Sequence, residues 1–254
     1  MSAPLAIDLF CGLGGWTEGL LAEGYRVVGF DIERHAYGDA KYPAQLVLQD
    51  VLTLHGSQFK DAALIVASPP CQAYSYRAMP WKRAKALPPP DNSLFEACFR
   101  IQREAIEAAG HHIPLVVENV RGAQRWVGRS RWNYGSFHLW GDIPALMPIA
   151  HKATKNNGGS WFAIGSPGQK VTGKNPVHEL TGQKLPGNNA PRLWSERRVQ
   201  RLADGLRYDA DSFYCASSGS KARKAASAQI AKIPLPLSRH IARAWWPEDM
   251  ELSA

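Results

Sequence analysis

Val66-Ala67-Ser68-Pro69-Pro70-Cys71-Gln72-Ala73-Tyr74-Ser75 is the stretch that organises the rest of the chain: an apolar run stops at two prolines and presents a cysteine. Leu64 to Ala67 is short and β-prone, and reads as a buried strand. Proline has no N–H to give a ladder and its φ is fixed. Pro69-Pro70 therefore ends the strand and holds Cys71 at its carboxyl edge, where open α/β sheets bind ligands. A thiol there can act as a nucleophile. A free cysteine is more often a small buried hydrophobe, but the prolines before it and the polar Gln72, Tyr74 and Ser75 after it favour the nucleophile.

Upstream, Leu5 to Phe10 reads as a first strand, followed by Cys11-Gly12-Leu13-Gly14-Gly15 and a helix over Trp16 to Ala22. A glycine-rich strand-to-helix turn lets main chain approach a ligand at a positively polarised helix end, so Gly12, Gly14 and Gly15 are binding candidates. Arg26 to Phe30 forms a second strand ending in Asp31, roughly twenty residues beyond the glycines, where dinucleotide-type folds place a carboxylate on ribose hydroxyls. Asp31 also suits the N-cap of a helix from Glu33 onward. Leu46 to Leu48 makes a third strand, ending at Gln49-Asp50.

Downstream, Tyr76 to Pro90 is a basic, irregular loop with Arg77, Lys82, Arg83 and Lys85 between Tyr76 and Trp81. Following the nucleophile candidate directly, it suits a segment that orders over a phosphate backbone. Ser93 and Glu96 have the spacing of a capping box for a helix to about Ala109, with Cys98 on its apolar face. His111-His112 sits at that helix's C-terminal turn and reads as structural. Pro114 to Val117 is a fifth strand ending in Glu118, and Asn133 to Leu139 is a further strand. Up to Glu118 strand and helix alternate, which predicts an α/β fold with a doubly wound, mostly parallel sheet. From Gly141 to about Arg201 the pattern fails and basic residues interleave with Trp161, Phe162, His178 and Trp194, a nucleic-acid surface. Lys221, Arg223 and Lys224 add a second cluster, and Leu237 to Trp246 is an amphipathic closing helix that packs on the first half.

The 254 residues, 45% hydrophobic, suffice for one domain with a small elaboration. The expected division is a main part, residues 1–140 with 220–254, and a short basic region, 141–219. A formal charge of +8 and a pI near 9.4 favour a polyanionic partner. No apolar run reaches membrane-spanning length, and the chain enters an acidic strand too early for a signal peptide, so a cytoplasmic monomer with no membrane contact is expected. Cys11, Cys71, Cys98 and Cys215 lie far apart without ligand spacing, so neither disulfides nor a metal site are expected.

The order of these motifs resembles the DNA (cytosine-5)-methyltransferase family, in the compact form seen among bacteriophage-like orphan enzymes. Asp8-Leu9-Phe10-Cys11-Gly12-Leu13-Gly14-Gly15 is similar to its cofactor motif, Pro69-Pro70-Cys71-Gln72 to its nucleophile motif and Glu118-Asn119-Val120 to its catalytic glutamate motif. Gln229-Ile230-Ala231-Lys232-Ile233-Pro234 is similar to the last family motif, which normally carries Gly-Asn where this chain has Ala231-Lys232. The resemblance implies a Rossmann-like, S-adenosylmethionine-dependent methyltransferase acting on double-stranded DNA. Phe10 would lie against adenine, Asp31 would bind ribose and Asp50 the adenine amino group, with Ile32, Pro70 and Lys232 completing the donor site. Arg129 or Arg131 would grip the target base, although Arg129-Ser130-Arg131 precedes Asn133-Tyr134-Gly135 where the family's arginine motif follows it.

The implied chemistry is attack of Cys71 on cytosine C6, assisted by Glu118 at N3 and N4, before C5 takes the methyl group. The cytosine must leave the duplex for this to happen. RNA or a nucleotide is an alternative substrate, and a catalytically silent nucleic-acid-binding module is an alternative of another class. Lys232 is either a solvated charge, a contact for the donor's carboxylate, or a contact for the second carboxylate of carboxy-S-adenosylmethionine, whose product would be 5-carboxymethylcytosine.

Overall fold

A computed structural model describes residues 2–37, 40–75, 86–148, 228 and 231–247. The chain divides into two compact units, Met1–Ala153 with Lys232–Ala254, and Thr154–Ala231. Every strand and helix named below belongs to the first. The expected basic contacts at Lys82, Arg83 and Lys85, the recognition region beyond residue 148, and Lys221, Arg223 and Lys224 lie outside the described residues.

The main sheet has the order β5-β2-β1-β6-β7-β9-β8, from β1 (Leu5–Leu9), β2 (Arg26–Asp31), β5 (Gln45–Leu48), β6 (Ala62–Ala67), β7 (Leu115–Asn119), β8 (Trp132–Tyr134) and β9 (Phe137–Gly141). β5 through β7 are parallel, while β9 runs antiparallel to β7 and to β8. The mostly parallel, doubly wound sheet is thus as expected. The strand expected over Asn133–Leu139 is instead two, because Gly135 takes a left-handed φ of 61° and turns the chain back on itself.

Helices cover both faces. On one, α2 (Ser93–Ala109) packs Phe95, Ile101 and Ala105 against Leu9, Ile65 and Val117; Cys98 is wholly buried there, as its place on the apolar face predicted. On the other, α1 (Gly15–Ala22) and α3 (Leu235–Ala244) pack together over Val27, Val66 and Leu139. Leu237 and Ile241 of α3 have no exposed surface, and each burial stabilises the unit by roughly 2 kcal/mol. α3 begins two residues earlier than the expected Leu237 because proline is tolerated in a first helical turn, here Pro236.

Two local expectations are overturned. No helix follows Glu33: Ala36–Tyr37 (β3) pairs antiparallel with Ala40–Lys41 (β4), and this small ribbon delivers Tyr42 to a buried bond with Thr17 on α1. That tertiary contact outweighs a segment without helical apolar spacing. The capping box at α2 is also absent. Asp91 accepts both the N–H (2.8 Å) and the hydroxyl (3.0 Å) of Ser93, so the Ser93 oxygen is turned outward as a donor. His111 lies 3.2 Å from the Ala109 carbonyl and His112 lies 3.4 Å from Asp142, structural contacts both.

Candidate active site

Parallel register brings the strand ends to one edge. Leu9 pairs with Phe30 on one side and Ala67 on the other, Ala67 with Val117, and Asp31 with Leu48. The next residues outward are Phe10, Asp31, Ser68 and Glu118, so the ends of four strands stand in one row.

In the turn after β1, Phe10 has φ 57°, the one positive value at a non-glycine among the described residues. Such backbone costs on the order of 1 kcal/mol and marks functional turns. Gly12, at φ +51°, donates its N–H to Asp31 Oδ2 at 2.9 Å, and a Cβ built on it would meet nothing within 4 Å. The turn therefore has an open face beside the first N–H groups of α1. At Gly15 the situation is the reverse: a Cβ would lie 2.4 Å from the Ile233 nitrogen and 2.9 Å from Lys232 Cγ, so only glycine lets residues 232–233 rest on the turn.

Asp31 is largely buried. Burial alone would raise its pKa, but the His35 ring and the N–H groups of Gly12 and Glu33 outweigh that and hold the carboxyl below its ordinary value. His35 Nε2 lies 3.5 Å from Oδ1. Ile32 beside it is 74% exposed, a large apolar side chain at the rim of the open face. Asp50 accepts from the Leu52 N–H at 2.9 Å and caps a short helical turn at Val51–Thr53.

A buried group absent from the sequence reading underlies this turn. Asp8 Oδ2 accepts from the Thr17 hydroxyl at 2.6 Å, and that hydroxyl also meets Tyr42 Oη at 2.7 Å. Asp8 Oδ1 is buried with no partner. Burial, reinforced by the charge of Asp31 and opposed by the Thr17 bonds, pushes the Asp8 carboxyl up to about 7. An acidic residue inside an apolar strand was the signal for it.

After β6, the Ser68 N–H reaches the Leu9 carbonyl (3.2 Å) and its hydroxyl accepts from Trp16 Nε1 (3.0 Å). The Asn119 side-chain amide donates to the Pro69 carbonyl at 3.0 Å, a buried bond between the Pro-Pro turn and the end of β7. The Cys71 carbonyl accepts from the Tyr74 N–H (3.0 Å) and the Ser75 hydroxyl (2.9 Å). Tyr74 itself is buried and donates to Asn92 Oδ1 at 3.0 Å. Cys71 is thereby held by its main chain and prolines while remaining partly exposed. Glu118, one residue before Asn119, is 3% exposed. Pro70 is exposed beside Cys71.

The two halves of the row are a main-chain cradle on β1 and β2, and a cysteine-bearing turn after β6 tied through Asn119 to the β7 end that holds the buried Glu118. Residues 5–125, which hold both, match the family described as C-5 cytosine-specific DNA methylase. The likeness spans just under half of the chain. Within the matched segment fall Phe10, the glycine turn, Asp31, Ile32, Asp50, Pro70, Cys71 and Glu118; Arg129, Arg131 and Lys232 lie beyond it. Arg129 and Arg131 are both exposed, and the Arg131 N–H joins the Leu139 carbonyl where the chain enters β8. Through β9 the register sets Trp132, the residue after Arg131, level with Glu118 and two strands away. Lys232 precedes α3 and pairs its ammonium with the Glu18 carboxylate.

Among solved structures, the Entamoeba histolytica methyltransferase EhMeth is 10% identical, with 100% of both chains covered and a TM-score of 0.50, a likeness of fold. The S. pombe Dnmt2 methyltransferase is 12% identical over 99% of this chain and 100% of that one, at a TM-score of 0.48. A prophage-encoded E. coli protein described as a DNA modification methyltransferase is 22% identical over 49% of this chain, at a TM-score of 0.35; the matched part spans only 34% of that protein. No curated protein matches the chain. The family implies a donor of the S-adenosylmethionine type. Among the described residues no helix is long and apolar enough to cross a membrane, and no cluster of His, Cys, Asp or Glu could hold a metal ion.

Proposed function

We propose that the chain transfers a methyl group from S-adenosylmethionine to C5 of a cytosine flipped out of double-stranded DNA, through a covalent bond to Cys71. The observation that carries this reading is the buried Asn119–Pro69 bond, which joins the Cys71 turn to the strand end bearing Glu118. The donor's sulfonium supplies an electrophilic methyl group. Its site has features of the right kind: the open face at Gly12, the N–H groups opening α1, Asp31 for ribose hydroxyls, and Phe10 and exposed Ile32 for the adenine.

Cytosine C5 is a poor nucleophile, so the ring is first activated at C6. The Cys71 sulfur, as thiolate, forms a bond to C6 while Glu118 hydrogen-bonds N3 and the N4 amino group and stabilises the electron density that moves into the ring. C5 then attacks the methyl carbon, the methyl–sulfur bond breaks, and S-adenosylhomocysteine leaves as the neutral thioether. Loss of the C5 proton to a base lets the C5–C6 double bond re-form and expels the Cys71 thiolate. The Pro-Pro turn keeps the sulfur in place throughout. Residues 141–219 supply the target-recognition surface in this reading, with the catalytic part formed by 1–140 and 220–254, and the protein works as a cytoplasmic monomer.

The test is incubation of the purified protein with labelled donor and, in parallel, duplex DNA, RNA or free cytidine nucleotides, followed by mass analysis of the nucleosides. 5-Methylcytosine in DNA is the expected product; label in RNA or nucleotide only would overturn the substrate. DNA containing 5-fluorocytosine should trap wild type covalently, and the Cys71→Ala protein should not be trapped. Glu118→Gln should cut turnover about 10²-fold or more with donor affinity nearly unchanged.

One observation favours a second donor. Lys232, where the family motif carries asparagine, lies against the glycine turn with a cationic head. Carboxy-S-adenosylmethionine bears a further carboxylate on the transferred carbon, and its use would yield 5-carboxymethylcytosine. The same nucleoside analysis, run with both donors, distinguishes the two products by mass.

A further inference from the structure

The Glu18–Lys232 ion pair joins residues 214 positions apart and stands at the border of the glycine turn. Helical side chains lean toward the N-terminus of their helix, so Glu18, in the first turn of α1, carries its carboxylate back over that turn. Lys232 approaches from the other side, its Cγ close to where a Gly15 Cβ would stand. The carboxylate also gains from the positive end of α1. The pair is part-exposed, 41% for Glu18 and 23% for Lys232, and exposed ion pairs are weak enough to exchange partners.

A donor of the S-adenosylmethionine type ends in an amino acid, and so brings a carboxylate to this turn. The lysine that could receive it already has an anion, supplied by the chain itself. We propose that Glu18 is a donor-selecting residue: it occupies Lys232 until a donor carboxylate displaces it. This rests on the glycine turn being the donor site and adds a sign to it. An internal competitor weakens every carboxylate-bearing ligand and leaves a ligand without a carboxylate untouched. A dicarboxylate donor, with two groups able to reach the lysine, competes better than a monocarboxylate one, so the pair discriminates between donors by their acidity.

The experiment is calorimetric titration of wild type, Glu18→Gln, Lys232→Gln and the double variant, without nucleic acid. The ligands are 5′-methylthioadenosine, S-adenosylhomocysteine and carboxy-S-adenosylmethionine, which carry no, one and two carboxylates. Glu18→Gln should bind S-adenosylhomocysteine about fivefold tighter than wild type does, and should gain less for the dicarboxylate, which already displaces Glu18 better. Lys232→Gln should bind both about tenfold more weakly, and the double variant should match Lys232→Gln. 5′-Methylthioadenosine should change by less than about twofold in all of them. Weaker or unchanged S-adenosylhomocysteine binding in Glu18→Gln would overturn the proposal, as would parallel changes with 5′-methylthioadenosine, which would mean damage to the turn. If wild type bound none of the three, the donor site itself would be misplaced, a separate failure.

Discussion

The turns after β1 and β6 stand side by side on the same edge, leave the sheet in register and each carry a cysteine, yet they are built on opposite plans. The β1 turn hides its side chain and offers main chain: Cys11 is buried, Gly12 presents an open face, and the Gly14 N–H closes on the Cys11 carbonyl at 2.7 Å. The β6 turn freezes its main chain with two prolines and a buried amide, and offers a side chain. Burial, with the charges of Asp8 and Asp31 nearby, drives the Cys11 thiol pKa far upward, away from reactivity. Place on the edge does not decide whether a thiol is offered or hidden; the turn's construction does.

The strongest way to break this contrast is to exchange the cysteines' fates. Cys71→Ala should lower turnover by more than about 10⁴-fold, whereas Cys11→Ala should cost no more than about tenfold, through donor affinity. Steady-state kinetics over donor concentration checks both. Inactivity of both variants with donor binding intact would end the distinction.

The rigidity of the β6 turn is the next point of attack. Asn119→Ala removes the bond to the Pro69 carbonyl and frees Cys71 to wander, with an expected loss of about 10²-fold in kcat. Donor affinity should hold, because the β1 turn has its own anchor in Asp31. A rise in donor KM without loss of kcat would mean that the two turns are not independent.

The smallest effect tests the burial under the β1 turn. Asp8 is held near pKa 7 when folded and titrates near 3.9 when unfolded. Between these values the folded state binds the extra proton, so its contribution is present at low pH and is lost as pH rises through about 7. Urea unfolding should show about 1 kcal/mol less stability at pH 8 than at pH 6 from this group. Asp8→Asn should remove that part of the slope, and an identical slope in both proteins would place the titration elsewhere.

The contrast also explains what could be read in advance. Strands announce themselves by apolar runs and the row of edge residues follows from their ends, so Cys71, Glu118, the glycine turn and Asp31 were legible one by one. Bonds between distant residues were not: nothing in Asn119 points to Pro69, and nothing in Tyr42 points to Thr17. Those contacts depend on register and on β3 and β4 replacing an expected helix. Ser93 misled for a related reason, since Asp91 competes for its hydroxyl at a range shorter than the capping pattern. Lys232 stood out as unusual in the sequence, while its partner Glu18 looked like any exposed helical charge.

The packing of α3 on α1 has a consequence for how the chain is made. Trp16 and Leu20 of α1 share their core with Leu237 and Ile241, residues synthesised more than two hundred positions later, and Tyr25 donates its hydroxyl to the carbonyls of Ala242 and Trp245. At about 5–20 residues per second a ribosome takes on the order of ten seconds or more to cover that interval. During that time one face of the nascent sheet lacks its cover and exposes apolar surface. This unit therefore closes only after translation has passed residue 241, and a ribosome stalled before that point would hold an open, chaperone-binding intermediate.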